Sequence, residues 1–252
     1  MSTKRKKLAL VTGLASLTLF DIAIATAAPV STYSWTGFYS GVDAGYRWAD
    51  GNFASSPYTF LIPGSGIQPF PARSENYNLN SGIVGLHGGY NFMITPTILA
   101  GMEGDWTWGF GKDNRSATFT IFDGTALRSS EVSLTWQATI RGRLGIVNGL
   151  WLFYGTAGAA FIHAKWSDNI SVGGPFIPTT AASWTASKTL TGWTAGIGIE
   201  RMLASNWIAR VEYLYENFGS FSVPHGFGPQ TGTLDIGDAH KLRVGISYKF
   251  GG

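Results

Sequence analysis

The stretch HKLRVGISYKF, residues 240–250, decides the fold. Leu242, Val244, Ile246, Tyr248 and Phe250 share one parity, while Lys241, Arg243, Gly245, Ser247 and Lys249 share the other. Alternation of this kind is the period of a β-strand, whose successive side chains point to opposite faces. Most strands run about 5–6 residues, whereas this one has the roughly 9–11 that a tilted strand needs to cross a bilayer. Its two faces, one apolar and one charged, suit a wall with lipid on one side and a polar interior on the other.

Seven segments upstream repeat the pattern, some of them weakly: Trp35 to Trp48, Gly82 to Phe92, Ile98 to Trp108, Trp136 to Ile146, Trp151 to Ile162, Gly192 to Arg201 and Trp207 to Tyr215. In the first, Phe38, Val42, Ala44, Tyr46 and Trp48 oppose Tyr39, Asp43 and Arg47, with Ser40 a polar exception on the apolar parity. The segment from Trp151 is apolar or small on both parities, so its register cannot be read from pattern. Eight strands is an even number, as closure of a single-chain antiparallel barrel requires, and closure satisfies every backbone polar group in lipid. The connections alternate strictly in length. Met93 to Thr97, Val147 to Leu150 and Met202 to Asn206 are short; Ala49 to Ser81, Gly109 to Thr135, His163 to Thr191 and Glu216 to Ala239 are long. The expected fold is therefore all-β: an eight-stranded antiparallel transmembrane β-barrel with short periplasmic turns and four long extracellular loops. The loops are rich in Gly, Pro, Ser, Thr and Asn and read as flexible exposed chain.

Composition points the same way. Only 13% of the 252 residues are charged and 14% are aromatic, about half the usual charge of a water-soluble domain. Trp35, Trp48, Phe92, Trp106, Trp108, Trp136, Trp151, Trp193, Trp207, Tyr215, Tyr248 and Phe250 lie near strand ends, where two interfacial girdles are expected. A soluble sandwich or lipocalin-like barrel would leave the low charge and the one-sided loop lengths unexplained.

The N-terminus reads as a signal peptide over residues 1–27. Lys4 to Lys7 are basic, Leu8 to Ile24 are mostly apolar despite Asp21, and Ala25-Thr26-Ala27 is a small-x-small cleavage site. The apolar run is short for a transmembrane anchor and carries a charge. Residues 28–34 form a short periplasmic segment and residues 35–250 the barrel domain. The leader carries four of the 18 basic and one of the 15 acidic residues, leaving 14 of each. Near-neutrality gives no reason to expect nucleic-acid binding. Cysteine is absent, so closure of the sheet rather than disulfides must hold the fold.

The polar parity places Asp43, Arg47, Glu103, Asp105, Arg141, Arg143, Glu200, Arg210, Glu212 and Arg243 in the lumen, with His87 beside them. An eight-stranded barrel is only wide enough for side chains to fill, and buried charges need partners. A closed charge network is the expected outcome, with inward glycines such as Gly41, Gly45, Gly85, Gly89, Gly196, Gly198 and Gly245 leaving room for long arginines. A narrow pore for small solutes is the alternative. No Gly-x-Ser-x-Gly elbow and no His-Glu-x-x-His pair occurs, so neither catalytic nor metal sites are expected. No cofactor is expected either, although His225, in an aromatic-rich loop, is a candidate axial ligand for haem.

The segments WTGFYSGVDAGYRW, GIVGLHGGYNF, GWTAGIGIERMLASNWIARVEYLYENFG and HKLRVGISYKF together resemble the small outer-membrane proteins of alpha-proteobacteria, the porin-family surface antigens. The resemblance covers residues 33 to 250. It implies an outer-membrane barrel of a Gram-negative cell, exported by the general secretory route and inserted by periplasmic chaperones and the barrel assembly machinery. It implies contact with outer-membrane lipid and lipopolysaccharide, and a part in envelope integrity and surface interaction, in some members with a host ligand or haem. It supplies no catalytic residues. Such chains typically end on an aromatic residue, whereas here Gly251 and Gly252 follow Phe250.

Overall fold

The computed structural model describes residues 34–62, 66–121, 124–174, 177–204, 206–224 and 230–250; the leader, His225 and the two terminal glycines lie outside them. Among the described residues every regular element is a strand. In chain order these are β1 (Gly37–Ser55), β2 (Tyr58–Ile62), β3 (Gly66–Phe70), β4 (Arg73–Asn78), β5 (Ser81–Met93), β6 (Ile98–Gly109) and β7 (Lys112–Ile121). They continue with β8 (Gly124–Asn148), β9 (Trp151–Gly174), β10 (Ile177–Met202), β11 (Trp207–Asn217), β12 (Ser220–Pro224), β13 (Thr231–Asp235) and β14 (Asp238–Phe250).

Eight of them form a ring. β1 pairs with β5, and the sheet runs on through β6, β8, β9, β10, β11 and β14, which returns to β1. Every pairing is antiparallel, and the closing register sets Val42 opposite both Leu86 and Ile246. Short turns after Met93, Asn148 and Met202 join strands at the periplasmic end. The tightest needs Gly149 at φ 60°, a left-handed conformation that glycine adopts without steric cost.

The outer surface is apolar. Phe38, Met102, Ile140, Leu144 and Ile197 are each at least 60% exposed, a level that only lipid makes favourable for so many large side chains. Tyr46, Trp48, Trp106, Trp108, Trp193 and Trp136 ring this belt at its extracellular edge; Tyr90, Phe92, Trp151, Trp207, Tyr248 and Phe250 ring the other. Phe38 and Trp48 lie ten residues apart on β1. At about 3.3 Å per residue and a tilt near 40°, that separation spans roughly 25 Å, the height of an outer-membrane apolar band. Ile140→Arg, near the middle of the belt, is expected to cost about 2–4 kcal/mol, measured as a loss of unfolding free energy in lipid vesicles.

Two expectations are corrected. The long connections are not flexible chain: β8, β9 and β10 continue far past the aromatic girdle, joined there by β7, and β1 rises to pair with β4 and β13. The barrel wall thus extends as sheet above the membrane. Trp35, for its part, is not in a girdle. It shares the inward parity of Tyr39, is 2% exposed, and donates its Nε1–H to the Gly149 carbonyl at 3.3 Å inside the periplasmic mouth.

Candidate functional site: the barrel interior

The register of the eight strands turns one side chain of every pair inward, and the interior fills in layers. At the periplasmic end Trp35, Leu99, Leu152, Met202 and Ile208 pack into an apolar layer. The charged layer lies above it. Arg141 is its hub: one guanidinium nitrogen donates to Glu212 at 3.0 Å and the other to Glu103 at 2.5 Å and Asp105 at 3.0 Å. Arg243 holds Glu212 at 2.6 Å and reaches Asp43 and Asp105, each at 3.3 Å. Arg210 donates to Glu103 at 2.7 Å, and Arg143 bridges Glu200 at 2.8 Å and the Tyr39 hydroxyl at 2.7 Å.

Nine of the ten lumen residues read from the alternation, all but Arg47, belong to this one network. Arg47 is buried on the same wall, and among the described residues its side-chain hydrogen bond goes to the Ser81 hydroxyl, at 3.1 Å. Side chains outside that set complete the layer. Tyr39 donates to Glu103 and Tyr154 to Glu212, each at 2.8 Å. The Arg143 guanidinium lies 4.0 Å from the centre of the Tyr154 ring, a cation–π contact in a desolvated setting. Part of the space beside inward glycines goes to these tyrosines rather than to arginines: a side chain at Gly198 would meet the Tyr154 ring, and one at Gly89 the Tyr39 hydroxyl. One storey up, Glu216 forms an ion pair with Lys241 at 3.0 Å and accepts from Gln137 at 2.6 Å.

His87 joins the network through Asp43. Its Nδ1 is 2.9 Å from Asp43 and its Nε2 is 2.7 Å from the Ser247 hydroxyl. A carboxylate only accepts, so Nδ1 carries a proton toward Asp43, and Nε2 shares a hydrogen bond with the Ser247 hydroxyl. Acid, imidazole and hydroxyl are thus in the order of a nucleophilic triad, although no sequence motif marks them. The side chains of His87 and Asp43 are fully buried, and Gly41 packs directly against His87 and Ser247. Ser247 itself is 2% exposed. With His87 from β5 and Tyr154 from β9, every strand of the ring supplies a member of the network.

A second apolar layer closes over the charges at the extracellular end. Phe53, Leu79, Leu134, Ile162, Trp166 and Leu234 are among its members, all at most 2% exposed. Phe53 and Trp166 stack with ring centres 6.0 Å apart. Above them Asp168 accepts from Ser130 at 2.7 Å and pairs with Arg128, and Arg73 donates to Ser130 at 3.0 Å, tying β4 to β8 and β9. Tyr77 belongs to the same region: burial and the Glu75 carboxylate that accepts its hydroxyl both push its phenol upward.

An apolar belt between two aromatic girdles, wrapped around a charged interior, defines a β-barrel of the bacterial outer membrane. Comparison with known proteins agrees with that class. Residues 13–250 match the family described as "Outer membrane protein beta-barrel domain", and the chain belongs to it. It is 31% identical over 234 residues to the 31 kDa outer-membrane immunogenic protein of Brucella melitensis biotype 1, covering 89% of this chain and 88% of that one. It is 29% identical over 218 residues to the 22 kDa outer membrane protein of Rhizobium leguminosarum bv. viciae, covering 86% and 79%. Among solved structures it is similar to the outer membrane protein OprG from Pseudomonas aeruginosa, at 14% identity and a TM-score of 0.47 over 86% of this chain and 97% of that one. The protein resides in the outer membrane of a Gram-negative bacterium.

Proposed function

We propose that this chain is a structural barrel with a closed lumen, contributing to envelope integrity and presenting its extracellular sheet to the surroundings. The network anchored on Arg141 carries the reading. It crosses the interior between opposite walls, and apolar layers bound it on both sides. Water needs polar partners and room to pass; neither apolar layer supplies the partners. The mixed signs of the interior also argue against ion selectivity, which rests on rings of one charge. The test is uptake of small sugars and amino acids into proteoliposomes. Uptake no faster than in protein-free vesicles is expected. Size-limited uptake that scales with protein would make the chain a narrow porin and overturn the closed-lumen reading.

No catalytic role follows for the Asp43–His87–Ser247 chain, whose hydroxyl is sealed between strands. Ser247→Ala is expected to change neither assembly nor any surface property, and a fluorophosphonate probe is expected to leave the folded parent unlabelled. Labelling that disappears in the variant would assign the chain a hydrolytic activity.

A further inference from the structure

The extracellular rim is electrically lopsided. On the β1 and β14 side the first outward positions above Trp48 and His240 are Asp50 and Asp238, and Asp235 follows on β13. Tyr215 and Asn217 both donate to Asp238, at 2.5 and 2.8 Å. The opposite side, built by β7 to β10, carries lysines at the same height. The register sets Lys112, Ser133, Lys165 and Ser187 side by side across four strands. Their neighbours Leu134, Ala164 and Trp166 point into the upper apolar core, so this row faces outward. Lys165 is exposed and has no ion pair among the described residues, while Lys112 lies 3.6 Å from Glu131 one row above.

The height of the row is fixed by what lies beneath it. His163 stacks on Trp136 at 5.5 Å with the rings 2° from parallel, and Trp136 stacks on Trp106 at 4.6 Å. This column belongs to the extracellular girdle, which sits at the boundary of hydrocarbon and headgroups. Lys165 stands two residues above His163 on the same face, at the level of lipid phosphates. Higher still, Ser116, Ser129, Asn169 and Ser183 form another cross-strand row and line a shallow depression of ≈ 510 Å³. Rows of hydroxyls and amides about 4.8 Å apart across strands offer donors and acceptors to sugars, with the exposed Leu127 on the floor of the same depression.

We propose that the outer face of β7 to β10 docks lipopolysaccharide of the same leaflet, its phosphates against Lys165 and Lys112 and its core sugars along the serine and asparagine rows. Three observations support this occupant. The face continues upward from the lipid-facing belt without a break, among the described residues the outward basic charge at the phosphate level falls on this side, and the hydroxyl-rich rows stand where the sugars of the outer leaflet stand. A membrane phosphate on the aspartate side would meet like charge.

The test uses protein purified from outer membranes in detergent, with EDTA present to remove bridging divalent cations. Lipopolysaccharide is titrated, and the thermal midpoint of the folded band on unboiled gels is followed. A saturable upward shift is expected for the parent. Lys112→Gln with Lys165→Gln is expected to raise the concentration needed for half the shift about 30-fold, from roughly one surface-phosphate interaction lost per lysine. If that pair fails to fold, Lys165→Gln alone is expected to raise it about fivefold. Lys188→Gln, a lysine on the opposite parity of β10, is expected to leave it unchanged. Dephosphorylated lipopolysaccharide is expected to bind the parent as weakly as intact lipopolysaccharide binds the double variant. An equal response from phosphatidylglycerol, or an undiminished shift in the variants, would overturn the proposal.

Discussion

Arg141→Ala is expected to be among the most destabilising single changes in the barrel, at about 3–5 kcal/mol, the usual cost of breaking a buried charge network by removing one partner. The guanidinium touches Glu103, Asp105 and Glu212 at 2.5 to 3.0 Å, and its Nε donates to Thr139 at 3.0 Å. Truncation leaves three buried carboxylates sharing the remaining arginines, each already engaged elsewhere. Removing a charge without ion pairs is a different operation. Arg47→Met takes away a buried guanidinium whose hydrogen-bond partner is Ser81, and should stay within about 1 kcal/mol. Reversible urea unfolding in lipid vesicles measures both. Equal costs for the two variants would mean that burial alone, and not the pairing, sets the energetics of the interior.

Trp166→Ala is the second large effect, about 3–5 kcal/mol for removing a fully buried indole from a packed core, but it is expected to act locally. Trp166 lies in the extracellular part of β9, between Phe53, Val132 and Ala164 in the upper apolar layer. The membrane-spanning ring below it makes no use of the indole. The variant should keep a heat-modifiable barrel on unboiled gels while its extracellular sheet opens to trypsin at Arg128 and Lys165. The parent should resist cleavage at Arg128, which is held by Asp168. A variant that loses the barrel altogether would show that the upper sheet and the ring fold as one cooperative unit.

The parts of the fold legible in the sequence are those where one environment applies along the whole strand. From Leu242 to Phe250 every second residue meets lipid, and the alternation is unbroken. Ten inward charges could be found the same way because each sits beside an apolar outward neighbour. The extracellular core was not legible, for two physical reasons. Its outward residues face water rather than lipid, so serine, threonine and asparagine replace the apolar parity and the strand resembles loop composition. A bulge at Thr135 then inverts the parity between Leu134, which points inward, and Trp136, which points to the girdle. Read straight through, the two halves of β8 contradict each other. Tyr154 was hidden for a third reason: on β9 the inward Leu152 and Tyr154 are as apolar as the outward Trp151 and Phe153, and Gly155, Ala157 and Ala159 beyond them are too small to mark a face. Trp35 could have been placed from its parity with Tyr39 and Asp43, a clue that its position near a strand end obscures.

The central claim is that side chains close the lumen, and single-channel recording in a planar bilayer tests it most directly. Insertion of the parent is expected to give a flat trace without discrete steps at any applied voltage that the bilayer survives. Arg141→Ala, which loosens the charged layer but leaves both apolar layers intact, is expected to remain silent as well. Discrete, reproducible conductance steps from the parent, rising with salt concentration, would contradict the claim and make the interior a pore.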